Sequence, residues 1–306
     1  MSMVPILPTP KRSFFTGRWL EIATIAGGMA IRAHGIDPQR LTGVFGPCHE
    51  SSEPQLVVRM YHGLNEVARR AFDEGKLPLN WLKWEREGYL LTIHSADGVP
   101  VITIAAKDAR GEFYALQTLG QLVQRHGQTV RLPIVQVADW PDFAQRGVIE
   151  GFYGLPWSHR ERLNMIKFCG QNKLNVFFYA PKDDPYHRTQ WREPYPAGKL
   201  AELVELIDAC HQYQVDFVFS VSPGNGMRFG GDEDFALLTA KMDDLFDHGV
   251  RHFSLLLDDI DPRLAFAEDR AQFESAAQAQ AYVANRLLEH LRAKDPARSL
   301  TICPTE

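Results

Sequence analysis

Residues 255–262 read LLLDDIDP, three leucines followed by three carboxylates in four positions. A short, continuous apolar run fits a strand covered on both faces, and the carboxylates stand where such a strand would emerge. Four further stretches repeat the pattern. Residues 147–150 lead into EGFYG (150–154), 175–179 into YAPKDD (179–184), 217–221 into SPGNG (222–226), and 300–303 into CPTE (303–306). Helical patterns fill the intervals. SHRE at 158–161 reads as a capping box, with Leu163, Ile166 and Phe168 behind it, and residues 200–213, 235–248 and 268–293 supply three more helices. Apolar strands alternating with helices imply a parallel sheet, either doubly wound or closed as a (β/α)8 barrel. The chemical clusters at the strand ends favour the barrel, whose strands all open on one rim, where barrel enzymes hold their sites.

The first 140 residues have a different character. Alternating strands are expected at 89–95 and 99–105, and a helix at 110–124 with Asp108 as N-cap and Phe113, Leu116, Leu119, Leu122 and Val123 on one face. A last strand at 130–137 runs into DWPD (139–142), where Pro141 stops regular pairing and marks a boundary. The division expected is an α/β domain at 1–144 and a second domain at 145–306.

The bulk properties are those of an ordinary globular chain. Its 306 residues are 45% hydrophobic, and 33 Lys plus Arg against 38 Asp plus Glu give a net charge of −5. That balance gives no electrostatic reason to expect nucleic acid or an anionic membrane as partner. Cys48, Cys169, Cys210 and Cys303 are widely spaced with no C-x-x-C, which indicates neither a zinc site nor a disulfide framework. Prolines in the first ten residues speak against a signal-peptide helix, and no run approaches a membrane span, so a cytoplasmic setting is the default expectation.

On residue types alone, Asp258 and Asp259 could be turn formers or helix caps. Converging on one rim with Asp261, they would repel, and one of a close pair is expected to keep its proton to higher pH, as a general acid requires. No His lies in the cluster. A carboxylate pair near Lys182 suits hydrogen bonding to a polar neutral substrate better than caging a cation, so no metal and no cofactor are expected.

RGVIEGFYGLPW (146–157), YAPKDD followed by HR and WRE (179–193), and LLLDDID (255–261), in this order and each at a strand end, closely resemble family 84 of the glycoside hydrolases, the retaining β-N-acetylglucosaminidases that include the protein O-GlcNAcases. The resemblance covers 145–306. DARGEFYALQTL (108–119) is similar to the α/β domain that precedes the barrel in this family and in the family 20 hexosaminidases. The resemblance implies a small N-terminal α/β domain followed by a (β/α)8 TIM-type barrel of which about five βα units are present. The family pattern continues past residue 306 with a tyrosine and later strands bearing an Asn and an Asp, so a truncated barrel is expected.

The implied activity is exo-hydrolysis of terminal β-linked GlcNAc on a glycan or glycoprotein, in which the substrate's own acetamido oxygen attacks the anomeric carbon to give an oxazoline. Asp258 would orient the acetamido N–H, and Asp259 would serve as acid and then base. Gly151 would let the sugar approach the backbone, Lys182 would donate to a hydroxyl, and Tyr153, Asp183 and Asp184 would line the wall. His187 and Arg192 are expected to brace the loop, and Tyr179 and Trp191 to pack. No nucleic acid or membrane partner is implied, and a homo-oligomer is allowed. Neighbouring strand residues point to opposite faces, so Asp258 and Asp259 can share a pocket only if the backbone turns between them. Two alternatives stay open: a non-catalytic carbohydrate-binding or scaffold fragment, and a family 20 type hexosaminidase. The second rests on GGDE at 230–233, but Arg228 stands where that motif needs His, and Asp232 is expected to cap the helix that follows.

Overall fold

The computed structural model describes residues 5–24, 28–74 and 85–305, apart from the side chain of Asn225. The chain divides into two compact units, Met1–Ala144 with Gln171–Lys173, and Gln145–Gly170 with Leu174–Glu306.

In chain order the first unit contains β1 (Arg12–Ala23), β2 (Met29–His34), α1 (Thr42–Phe45), β3 (Cys48–Glu50), β4 (Leu56–His62), α2 (Glu66–Glu74), β5 (Tyr89–Ala96), β6 (Val99–Ala106), α3 (Ala109–Leu122), β7 (Gln124–His126) and β8 (Thr129–Asp139). Among the described residues the strands form one mixed sheet in the order β1-β8-β5-β6-β4-β2-β3, with β7 on β8. α3 buries Tyr114, Ala115, Leu119 and Leu122 with Leu91, Ile93, Ile102 and Ile104 of the sheet, while α2 puts Ala68 and Phe72 in a second cluster with Leu90, Ala105 and Ala138. Alternate strand residues therefore serve opposite faces. Asp108 caps α3 by accepting from the Gly111 amide at 2.9 Å. The helix is shorter than its apolar periodicity suggests. Val123 is already extended and Gln124 enters β7, so backbone pairing with β8 takes over from the helical ladder.

The second unit contains β9 (Gly147–Glu150), α4 (His159–Gln171), β10 (Val176–Tyr179), α5 (Ala197–Gln212), β11 (Asp216–Val221), α6 (Asp232–Asp247), β12 (His252–Leu256), α7 (Ala267–Gln272), α8 (Ala276–Lys294) and β13 (Leu300–Cys303). All four strand pairings are parallel and the order is β13-β12-β11-β10-β9, so each strand lies beside the next in sequence. Phe177, Phe219, Phe253 and Leu255 on one face are essentially fully buried with Ile166, Leu206, Leu238, Met242 and Leu287 from the helices. Each such side chain contributes about 1.5–3 kcal/mol by leaving water. The other face has a small cluster of strand residues alone, Val176, Phe178 and Val218.

Ser158 and Glu161 close the capping box in both directions, Glu161 Oε2 accepting from the Ser158 amide at 2.6 Å and Ser158 Oγ from the Glu161 amide at 3.3 Å. Three local expectations need correction. Phe168 is 52% exposed, because Ile166, Cys169 and Gly170 take the inward positions of α4. The single long helix expected at 268–293 is two, since Ser275 Oγ accepts from the Gln278 amide and starts α8 afresh. Asp232 is not a cap. Gly231 holds that position, and Asp232 lies in the first turn of α6 with its carboxylate on Arg286 at 3.0 Å. Among the described residues, no helix is long and apolar enough to cross a membrane.

Candidate active site

Parallel pairing brings the ends of β9, β10 and β12 to one edge of the second unit's sheet. Glu150 closes β9, with Gly151 just beyond it, and Lys182 follows β10 by three residues. Asp258 and Asp259 follow β12. Asp259 has a φ of +55°, a left-handed conformation that L-residues other than Gly seldom adopt outside tight turns. This turn cancels the strand alternation. Lys182 Nζ lies 3.4 Å from Asp258 Oδ2 and 3.7 Å from Asp259 Oδ2, so two consecutive carboxylates share one ammonium group.

Tyr153, in the loop after β9, donates its hydroxyl to Asp259 Oδ2 at 2.7 Å. Lys182 Nζ is 5.2 Å from the centroid of the Tyr153 ring and the Arg188 guanidinium 6.0 Å, a separation at which cations are drawn to an aromatic face. The Tyr153 hydrogen bond, with the positive charges of Lys182 and Arg188, holds the Asp259 carboxyl below the usual carboxylate range. The elevated acid expected from mutual repulsion is thus not found at Asp259, because the Tyr153 phenol and the charges of Lys182 and Arg188 stabilise its anion more than desolvation opposes it. Asp261 has a partner of its own. Arg263 grips both of its oxygens, pushing its pKa down to about 2.

Asp258 differs from its neighbour. Its Oδ1 is buried and, among the described residues, has no hydrogen-bond partner, leaving an unsatisfied acceptor. Gly151 has an ordinary φ. A Cβ built there would meet Ile149 Cγ2 at 3.1 Å and Ala180 Cβ at 3.9 Å, so no turn requires the glycine. At the end of β13 the Cys303 thiol is pushed up, first by burial and then by the negative charge of Asp258, with Lys182 opposing.

The remaining polar residues of the motifs have other partners. Asp184 Oδ2 accepts from Tyr179 at 2.9 Å and from Tyr195 at 2.7 Å, and its Oδ1 accepts from the Tyr186 amide at 2.8 Å. Asp183 lines a cavity of about 260 Å³ with Arg162 of α4 and Lys199 and Glu202 of α5, away from the Asp258–Asp259 pair. His187 is fully buried with Nδ1 2.7 Å from the Ser220 carbonyl, and its own carbonyl accepts from the Ser222 amide at 2.8 Å. Arg192 makes a two-point pair with Asp234 of α6, and Trp191 is buried. Arg188 and Cys303 are contributors the motifs did not single out. Arg188 was visible only as the residue after His187, and Cys303 only as the first residue of CPTE at a strand end.

A paired carboxylate, a shared ammonium group and an unpartnered buried acceptor at the strand ends of a parallel sheet can supply acid–base chemistry and hydrogen bonds to a polar ligand. Comparison with known proteins narrows this. The beta-N-acetylglucosaminidase family profile matches residues 146–306, and that of glycosyl hydrolase family 20, domain 2, matches residues 55–140. Protein O-GlcNAcase of Rattus norvegicus and that of Mus musculus are each 37% identical over 160 residues, covering 52% of this chain and 17% of theirs. The structure of CpGH84B superposes with a TM-score of 0.78 at 32% identity over 98% of this chain and 50% of that one. An O-GlcNAc hydrolase mutant of Thermobaculum terrenum matches 53% of this chain and 35% of its own at 38% identity, with a TM-score of 0.52. The chain belongs to the β-N-acetylglucosaminidase family, glycoside hydrolase family 84. It spans 17% of the length of the rat and mouse relatives and about half of CpGH84B.

Proposed function

We propose that the protein carrying this chain is a retaining exo-β-N-acetylglucosaminidase that releases terminal β-linked GlcNAc from a glycan or glycoprotein by substrate-assisted catalysis. The observation that carries this reading is the turn at Asp259, which brings two adjacent carboxylates to one lysine. Asp258 Oδ1 accepts the acetamido N–H and thereby directs the acetamido oxygen at the anomeric carbon. In the first step that oxygen forms the bond to C1 as the C1–O bond to the aglycone breaks, and Asp259 gives its proton to the departing oxygen. In the second, Asp259 takes a proton from water as the water oxygen bonds to C1, the oxazoline C1–O bond breaks, and the N–H proton that Asp258 took as the ring closed returns to nitrogen to restore the acetamide. Two inversions at C1 give net retention. Gly151 lets the sugar close on the backbone and Lys182 donates to a ring hydroxyl, while Tyr153 serves the wall.

We further propose that residues 1–144 form a hexosaminidase-type α/β domain and that residues 145–306 form the first five βα units of a (β/α)8 barrel. Sequential parallel strand order and helix packing on a single face support that architecture.

The test is hydrolysis of an aryl β-GlcNAc glycoside by the protein, with the anomer of the first-formed sugar read by NMR. Retention is expected, with loss of turnover in Asp259→Asn. Unchanged rates in that variant would remove Asp259 from its role, whereas absence of hydrolysis by the parent protein would favour a binding or scaffold function. Asp232→Asn and Glu233→Gln are expected to leave turnover intact; dependence on them would favour family 20 chemistry.

A further inference from the structure

Asp259 has two claimants for one oxygen. Tyr153 donates its hydroxyl to Oδ2 at 2.7 Å, the same separation at which the leaving oxygen must stand to receive the proton. Lys182 approaches the same atom at 3.7 Å. The groups around Asp259 are Tyr153 from the loop after β9, Lys182 and Arg188 from the segment after β10, Asp258 from its own strand end and Cys303 from β13. Tyr153 and the two cations stabilise an ionised Asp259, yet the first chemical step needs it protonated.

Tyr153 is also easily moved. It is 66% exposed, and its described contacts are the Asp259 carboxylate and the two cations near its ring rather than apolar packing. The next residue, Gly154, has a φ of +116° with open space where a Cβ would stand, a permissive point at which the loop can pivot.

We propose that Tyr153 is a displaceable lock on Asp259: its hydroxyl occupies the position of the leaving oxygen in the unliganded protein and surrenders it when the aglycone arrives. The inference rests on the acid–base reading of Asp259. Substrate binding then replaces a donor to the carboxylate by an ether oxygen, which can only accept, and Asp259 takes up one proton from solvent as the aglycone seats. Tyr153 is thereby a positioning residue that sets when Asp259 becomes an acid.

The experiment compares pH profiles of kcat/KM and kcat for the protein and its Tyr153→Phe variant on an aryl β-GlcNAc glycoside with a poor leaving group. The acid must be protonated, so kcat/KM is high below the pKa of Asp259 in the free enzyme and falls as pH rises through it; kcat reports the bound state. Without the phenol, the free carboxyl titrates higher. The falling limb of kcat/KM is expected to move to higher pH, while that of kcat, where the lock is already open, stays in place. A variant whose limbs are both unmoved, whatever its overall rate, overturns the proposal. Carboxyl carbon NMR of Asp259 in the unliganded protein and in Tyr153→Phe decides the point without turnover: a midpoint raised in the variant supports the lock, and equal midpoints end it. Full activity in Asp259→Asn would instead overturn the acid–base reading while leaving the NMR result to judge the contact.

Discussion

Arg162 of α4 grips Glu150 at the end of β9 at two points, Nε to Oε2 at 2.8 Å and Nη2 to Oε1 at 2.9 Å. Glu150 is 1% exposed, and its Oε1 also accepts from the Trp157 amide at 3.2 Å. The same guanidinium lies 5.3 Å from the centroid of Tyr179, whose hydroxyl donates to Asp184. Gly151 follows Glu150 directly, and Lys182 stands two residues before Asp184. The two strand ends that present the proposed sugar contacts are therefore fixed to one helix by one charged network.

Breaking a buried pair from one side leaves an unpaired charge out of water, at a typical cost of about 3–5 kcal/mol, whereas removing both partners is much less damaging. Arg162→Leu is expected to lower the urea midpoint sharply, and Glu150→Leu combined with Arg162→Leu to recover part of the loss. Additive losses in a double-mutant cycle would show that the pair is not coupled.

Gly151→Ala separates a structural from a functional glycine. Its φ demands no glycine, and the nearest atom to an added Cβ belongs to Ile149, a side chain 60% exposed and free to give way. Crowding is offset by the roughly 0.4–1 kcal/mol that Ala supplies by restricting the unfolded chain. Stability is expected to stay within about 1 kcal/mol of the parent, while the methyl group holds the sugar off the backbone and raises KM. A normal KM would deny Gly151 its place in the sugar site.

The five strands of the second unit were legible because their apolar runs are nearly continuous: Phe177, Phe219 and Leu255 pack against the helices, and Val176, Phe178 and Val218 are apolar on the other face. The capping box of α4 was legible because Ser158 and Glu161 bond each other locally. The division of α7 from α8 was not, since the alanine-rich run around Ser275 keeps its helical character through the break and only the cap geometry shows it. At the site, the motifs put Asp258, Asp259, Lys182 and Gly151 at strand ends, and the structure brings the first three together. The turn at Asp258 and Asp259 was required for the two to share a pocket and is present at Asp259, whereas the Tyr153 contact and the place of Asp183 in the α4–α5 cavity depend on loop torsions, which side-chain periodicity does not encode.

His187 makes stability depend on pH. The Ser220 carbonyl can only accept, so Nδ1 carries the proton and Nε2 is left as a buried acceptor without a partner among the described residues. Burial pushes the imidazole down to about 4 from its ordinary value of 6.5. Between these values the unfolded chain binds a proton that the folded one refuses. The contribution of His187 is therefore fully present above about pH 6.5 and is lost as pH falls towards 4, by roughly 3 kcal/mol in all. Urea unfolding of the parent and of His187→Asn at pH 4.5, 5.5 and 7 is expected to show a shallower pH dependence in the variant. Parallel curves would show that His187 titrates in the folded state as it does in the unfolded.

Asp258 and Asp259 are separable by leaving group. Asp259 acts on the departing oxygen, so its loss matters most where that oxygen leaves unaided with difficulty; a well-placed acid is worth about 10²–10⁴ in rate. Asp258 acts on the acetamide, and the attacking oxygen needs the same direction whatever departs. Across a series of aryl β-GlcNAc glycosides, kcat/KM of Asp259→Asn is expected to fall steeply as the phenol becomes less acidic and to approach the parent for nitrated phenols. Asp258→Asn is expected to lose activity about evenly across the series. Equal slopes for the two variants would show that one carboxylate does not serve the leaving group while its neighbour serves the nucleophile, although both stand within 3.7 Å of Lys182 Nζ.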